Sequence, residues 1–280
     1  MDEFKVLTKP GVSILPAMTK MTAGQFLQSP SKQYKLMMQP DCNLVLLDGV
    51  TEIWVANSNQ AYSTHYRFKK RSGQPEATMA YYFRVNQPCM KQAWGTIGYS
   101  SLGNDYNAAK HRAYLSLQDD GNIVVIDRQP LWAHNKSLWT FSSIPVGQLF
   151  DSGFQMRPGQ SFTSGGARLE FREDGNLIAL NSAGSVTWST ETAGRGVDRA
   201  VMQDDGNFVV YAADTSVWST NTAGHIGAFA QLQENGCFSV AEYKAVWARF
   251  GVAQKKRRKN KLFGPFDIPV LKVVDFVKGQ

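Results

Sequence analysis

From Val201 to Tyr211 the chain reads V-M-Q-D-D-G-N-F-V-V-Y, with Gln203, Asp205, Asn207, Val209 and Tyr211 at alternate positions. The two amides donate and accept hydrogen bonds, the carboxylate accepts, and the phenol does both. One small apolar side chain stands among them. Such a set can hold two or three neighbouring hydroxyls while Val209 touches a ring carbon. That is the chemistry of a monosaccharide site, and it calls for no nucleophile or general base.

The side chains must first be brought together. A straight strand over this stretch would run about 27 Å at roughly 3.3 Å per residue, too long for one small ligand. Asp204-Asp205-Gly206 suits a three-residue hairpin loop with Gly206 in the left-handed position. Gln203 then faces Asn207. Residues 203, 207, 209 and 211 share one side, and Met202, Phe208 and Val210 share the other. Turn chemistry alone accounts for Asp205, Gly206 and Asn207. It accounts for neither Gln203 nor Tyr211, so the stretch is either a sugar site or a turn left over from one.

Related copies recur. Gln118, Asp120, Asn122 and Val124 repeat the pattern with Ile126 in place of the tyrosine. Gln39, Asp41, Asn43 and Val45 repeat it with Leu47 there and Cys42 in place of the turn glycine. Arg172, Asp174, Asn176, Ile178 and Leu180 keep two of the five residues, and Arg172 can still donate to a hydroxyl. Gln233, Asn235, Cys237, Ser239 and Ala241 keep little and read as structural. The copies are followed by Trp54, Trp132, Trp188, Trp218 and Trp247, each expected to anchor a core.

Composition narrows the classes. With 24 Gly, 7 Trp and few helix-like runs, an all-β chain is expected. The net charge of +7 is concentrated in Lys255-Lys-Arg-Arg-Lys259 and Lys261. The remainder is close to neutral, so nucleic acid is not an expected partner. That basic run is a solvated segment, a contact for anionic envelope groups, or a nuclear address. Three cysteines without a spacing pattern, Cys42, Cys89 and Cys237, suggest neither a disulfide framework nor a zinc site. No cofactor is expected. The four histidines are scattered, and neither G-x-S-x-G nor a phosphate-binding loop is present. An enzyme is therefore not expected. The N-terminus shows no basic start followed by an apolar core, so release without a visible signal peptide is the expectation.

Two tandem domains are expected, at 1–143 and 144–250. Met156-Arg-Pro-Gly-Gln160 echoes Met21-Thr-Ala-Gly-Gln25 as a run-in. The first domain carries an insertion over about 60–112. Its middle unit has lost the motif but keeps strand-like Ala80 to Val85 and Trp94. An apolar extension follows over 251–280. Each repeat is too small to bury its own apolar face, and three of them around one axis can do so.

The spacing Q-x-D-x-N-x-V-x-Y, matched in full from Gln203 to Tyr211, resembles the signature of the bulb-type (monocot) mannose-binding lectins. That resemblance implies an all-β fold of two tandem β-prisms with three-fold pseudosymmetry, with a strand that often crosses to a neighbour. Lys136 to Phe141 is the expected crossing strand. The tandem arrangement, Leu15-Pro16, Leu117 to Val124 and Val246-Trp-Ala-Arg-Phe-Gly251 resemble the lectin-like (L-type) bacteriocins more narrowly. By that resemblance the chain would be a monomer released from its producer. It would bind D-rhamnose or D-mannose in cell-surface polysaccharide and kill related Gram-negative bacteria at the outer membrane. Its partner there would be the assembly protein BamA.

Overall fold

The computed structural model describes residues 4–56, 58, 76–80, 83–87, 90–95, 111–137, 139 and 147–249, and for 86, 87 and 90–95 the backbone only. The extension 251–280, with its basic run, lies outside the described residues, as does most of the expected insertion.

The described elements are strands, with helical backbone only at His111 and Arg112 among the described residues. The strands form five sheets, and two of them are built from strands consecutive in the chain. Phe26–Gln28, Tyr34–Met38, Leu44–Asp48 and Thr51–Val55 make one. A second contains Lys5–Val6, Thr19–Thr22, Glu76–Met79, Phe83–Gln87 and Met90–Gly95. A third follows Ser161–Ser164, Ala167–Phe171, Leu177–Leu180 and Val186–Ser189. A fourth joins Gln155–Met156, Arg199–Met202, Phe208–Ala212 and Thr215–Ser219. The fifth is shared: Gln148–Phe150, Phe229–Leu232, Phe238–Ala248, Ile123–Ala133, Ala113–Leu117 and Ile14–Leu15, in that order.

The sheets enclose two apolar cores, each bounded by two sheets of its own and part of the shared one. The architecture is two β-prisms, as expected. Alternation decides which residues point inward. Leu36, Met38, Leu44 and Leu46 are wholly buried in the first core, and Ala200, Met202, Phe208 and Val210 in the second. The echoed run-ins fold alike. Gly24 and Gly159 both take positive φ, 84° and 85°, and the side chains of Gln25 and Gln160 accept from the backbone N–H three residues earlier.

In the second core the indole rings of Trp132, Trp188 and Trp218 form a triangle with centroids 5.2–5.6 Å apart, each pair edge to face. That arrangement suits the aromatic quadrupole. Two of the rings come from the sheets enclosing this core, but Trp132 arrives from the first half of the chain. The exchange is reciprocal, because Val246 and Trp247 pack against the first core.

The crossing strands are therefore Ile123–Ala133 and Phe238–Ala248; of the expected Lys136 to Phe141, Lys136, Ser137 and Trp139 are in no strand and the rest lies outside the described residues. They pair antiparallel over nearly their full length, from Val124 opposite Ala248 to Ala133 opposite Ser239. At 11 residues each, they are long enough to line both cores, roughly 35 Å at about 3.3 Å per residue. The register shifts twice, between Val125 and Ile126 and between Pro130 and Trp132. Bulges increase local twist and tolerate a proline that cannot donate to the ladder, which accounts for Pro130 inside a long strand. Trp139, from the expected crossing segment, is buried as a cover: its Nε1 donates to Ser239 Oγ at 3.2 Å.

The junction between the cores is polar and closed. Arg112 and Asp127 pair at 2.7 Å, both buried, and Gln129 donates to the same carboxylate at 2.8 Å. Arg128 is also buried, with its guanidinium 4.8 Å from the Trp139 ring and Nη1 3.1 Å from Gln231 Oε1. Burial holds its pKa below the ordinary arginine value. Removing one partner from such a buried set costs about 3–5 kcal/mol.

Trp132→Ala should destabilise the second core by about 3–5 kcal/mol although the residue belongs to the first half of the chain. Hydrogen exchange should show protection lost over 150–240 first; loss confined to 4–125 would refute the reciprocal packing. His134 supplies a pH dependence. Its Nδ1 accepts the Phe238 N–H at 3.0 Å, and burial lowers its pKa from 6.5. The neutral form is favoured in the fold, so the unfolded chain takes up the proton first as pH falls. The stability this group contributes is complete above pH 6.5 and declines below it. His134→Asn should flatten the fall in denaturation midpoint between about pH 7.5 and 5.5 relative to the parent.

Candidate functional site

The hairpin Arg199–Met202 to Phe208–Ala212 carries the full motif, and its turn is set by local chemistry. Gln203 N–H donates to Asn207 O at 2.8 Å, and Gly206 N–H donates to Gln203 O at 3.1 Å. Asp205 Oδ1 accepts the Asn207 N–H at 2.9 Å, an Asx turn that bends the chain back. Gly206 has φ of 93°, and a Cβ there would lie 2.2 Å from His225 O. Glycine is required at this position both by conformation and by space.

Behind the turn is a clamp that sequence reading missed. Asn207 Oδ1 accepts from Thr220 Oγ1 and from Thr222 N–H, both at 3.1 Å. Thr220 Oγ1 and Thr222 Oγ1 are 2.8 Å apart, and Thr222 Oγ1 donates to Gly206 O at 2.7 Å. Asn176, Thr190 and Thr192 repeat the arrangement. At Asn43 a single Ser58 takes both roles. The motif asparagine thus spends its carbonyl on the fold and keeps its amide N–H groups for other partners. The signal was present as Trp-Ser-Thr-x-Thr at 188–192 and 218–222.

Register places Arg199 opposite Tyr211 and Val201 opposite Val209. Gln203, Asn207 and Tyr211 are half-buried on the outer face, and Asp205 is exposed. Gln203 Nε2 donates to Tyr211 Oη at 2.7 Å, which leaves the phenol proton and the rest of the Gln203 amide to act outward. Val209 is only 2% exposed, so it forms a floor. The arrangement presents several donors and a carboxylate over a small apolar base, within one hairpin. Arg199, whose guanidinium stands 4.7 Å from the Tyr211 ring, is a further member that the motif does not contain.

The other copies share the turn but not the face. At 39–45 the backbone bonds recur, with Cys42 at φ of 76°, a left-handed value that L-residues disfavour by about 1–2 kcal/mol. Gln39 is half-buried, Asp41 is exposed, Asn43 is held by Ser58, Val45 is buried, and Leu47 occupies the tyrosine position. At 172–180 Arg172, Asp174 and Asn176 lie on an open face with Ile178 and Leu180 buried beneath. Arg172 and Arg168 reach the two oxygens of one carboxylate, Glu170, at 3.4 and 3.0 Å.

The 118 copy departs from expectation. Asp120 is exposed, but Gln118, Asn122, Val124 and Ile126 are 3% exposed or less. The strand bearing Val124 and Ile126 is the crossing strand. These two residues pack with Ile14 and Tyr114, against which Tyr243, Ala245 and Ala248 lie. This face is buried, so the copy offers no open patch. The 233 copy is closed in the same way: Gln233, Cys237, Ser239 and Ala241 are buried. Burial raises the Cys237 thiol pKa to about 11.

No protein-family model matches the chain, and no curated protein does. Similar solved structures include a two-domain fetuin-binding agglutinin of Scilla campanulata, 23% identical, covering 84% of this chain and 99% of that one, with a TM-score of 0.45. Monomeric monocot mannose-binding lectins of Gastrodia elata are 28% identical over 36% of this chain and 92% of theirs, with a TM-score of 0.31. The mannose-specific agglutinin of snowdrop (Galanthus nivalis), solved with methyl-α-D-mannoside, is 24% identical over 41% of this chain and 98% of that one, with a TM-score of 0.32.

Gly206→Ala and Gly224→Ala separate strain from collision. Both glycines have positive φ, 93° and 97°, but only Gly206 has a neighbour within 4 Å of an added Cβ. Each substitution should cost about 1–2 kcal/mol for conformation. Gly206→Ala should cost more and displace the Gln203–Asn207 pairing, read from denaturation midpoints and backbone amide shifts. Equal costs would show that the 224–225 segment yields freely.

Proposed function

We propose that the chain is a carbohydrate-binding protein whose working site is the hairpin face of Gln203, Asp205, Asn207, Val209 and Tyr211. One observation carries this reading. Among the described residues, this copy alone combines the complete set of polar groups with an open outer face. Asp205 Oδ1 is used by the turn, and the second carboxylate oxygen accepts two sugar hydroxyls. Asn207 Nδ2 and the Tyr211 hydroxyl donate, and Val209 lies under a ring carbon. D-mannose and its 6-deoxy form, D-rhamnose, present the same axial 2-hydroxyl to this patch. The mannose-binding lectins to which the chain is similar support the choice of sugar.

Four or five hydrogen bonds of about 1 kcal/mol net give a dissociation constant of roughly millimolar to high micromolar. Such affinity suits a repeating polysaccharide, where high local sugar density compensates for a weak site. The finer reading is that of a lectin-like bacteriocin. Sugar binding gathers the protein on the lipopolysaccharide of related Gram-negative bacteria, and a second contact, with BamA, delivers killing without an enzymatic step. The division at 143/144 and the contribution of the 60–112 insertion to target choice belong to the same proposal.

Tyr211→Phe and Gln203→Ala should each weaken methyl-α-D-mannoside binding by about fivefold or more, by calorimetry or NMR titration, with unchanged unfolding midpoints. Gln118→Ala should leave binding unaltered. On a strain panel with and without surface mannose or rhamnose polymer, killing should follow the polymer and fall with Gln203→Ala. Sugar binding without killing would leave a non-toxic lectin. Full binding by both hairpin variants would exclude this face as the site.

A further inference from the structure

The five copies supply an internal comparison that the motif does not record. In each, the ladder places a residue of the preceding strand directly opposite the last motif position. The pairs are Lys35 with Leu47, Tyr114 with Ile126, Arg168 with Leu180, Arg199 with Tyr211, and Phe229 with Ala241. The two closed copies have buried aromatics there, Tyr114 and Phe229, and the three open copies have cations. Two of those cations are turned elsewhere: Lys35 Nζ lies 4.6 Å from the Phe26 ring, and Arg168 pairs with Glu170 at 3.0 Å. Arg199 lies over the motif tyrosine, 4.7 Å from the ring centroid.

Arg199 has two carboxylates beside it. It pairs with Asp198 at 3.0 Å and reaches Asp214 at 3.6 Å, and its side chain is 25% exposed. The Tyr211 hydroxyl is bonded to Gln203 Nε2 at 2.7 Å. The contacts run Asp198/Asp214, Arg199, Tyr211, Gln203, without a break. The carboxylates balance the guanidinium, so it does not act as an anion receptor here. Its planar face is what the site uses, holding the phenol ring against rotation away from Gln203.

We infer that Arg199 is a positioning residue for the sugar site: it preorganises Tyr211, and through it Gln203, before ligand arrives. The inference rests on the reading of this face as a pyranose site. Preorganisation raises affinity by removing the cost of ordering groups on binding. It also gives a physical account of why, among the open copies, a tyrosine at the last motif position coincides with a stacked arginine.

The test is a double-mutant cycle on the full chain with methyl-α-D-mannoside as probe, together with the Gln203 side-chain amide signals of the ligand-free protein. Arg199→Met should weaken binding by about twofold to fivefold. Arg199→Lys should recover part of that loss. In a Tyr211→Phe background Arg199→Met should change affinity less than about twofold, because its effect passes through the tyrosine. In ligand-free protein Arg199→Met should move the Gln203 amide signals toward those of Tyr211→Phe. Additive losses would mean that Arg199 touches sugar directly, and would overturn the positioning role. Unmoved Gln203 signals would overturn it whatever the sugar data show. If the parent protein binds no mannoside yet the Gln203 signals respond, the sugar reading fails, and what stands is that Arg199 orders Tyr211 and Gln203.

Discussion

A sheet of four short strands has an inner face it cannot cover alone. Everything in this structure follows from that constraint. The apolar rows are buried by setting sheets around a shared axis, and at the centre of the second core three indoles close the axis edge to face. The third indole, Trp132, is supplied by the other half of the chain, and Trp247 is sent back in return. Each core therefore depends on a strand that begins in the other, and the long paired strands bind the halves together.

Burial decides which repeats remain available. All five turns are alike in backbone hydrogen bonding, with the amide N–H at the motif's first position donating to the carbonyl four residues later. Two of the five lie in the shared sheet, and their motif faces are buried. One of the remaining three has two arginines bridged by Glu170, and another has Leu47 where the complete copy has Tyr211. Repetition supplies five scaffolds, and burial and substitution leave one complete face.

That face is assembled from separable layers. Asp205 and Gly206 shape the turn, and the threonine pair behind it fixes Asn207. Gln203 and Tyr211 hold each other, and Arg199 lies over the phenol. Polar groups that already have partners lose little freedom when a ligand takes their remaining valences. A shallow site can then bind without a deep pocket.

Much of this was legible in the chain itself. Alternation in V-M-Q-D-D-G-N-F-V-V-Y settles which side chains turn inward, because strand periodicity is a local property. The Asp-Asp-Gly loop settles the bend, because glycine alone takes that backbone value cheaply. The role of Thr220 and Thr222 was written in Trp-Ser-Thr-x-Thr but needed the fold to show what the hydroxyls touch. What no local rule could supply was partnership across the chain. That Ile123–Ala133 pairs with Phe238–Ala248, that Gln118 and Asn122 are buried, and that Arg199 lands over Tyr211 are all consequences of how distant segments come together. Register between distant strands is fixed by the two cores filling together, and no stretch of sequence carries that information alone.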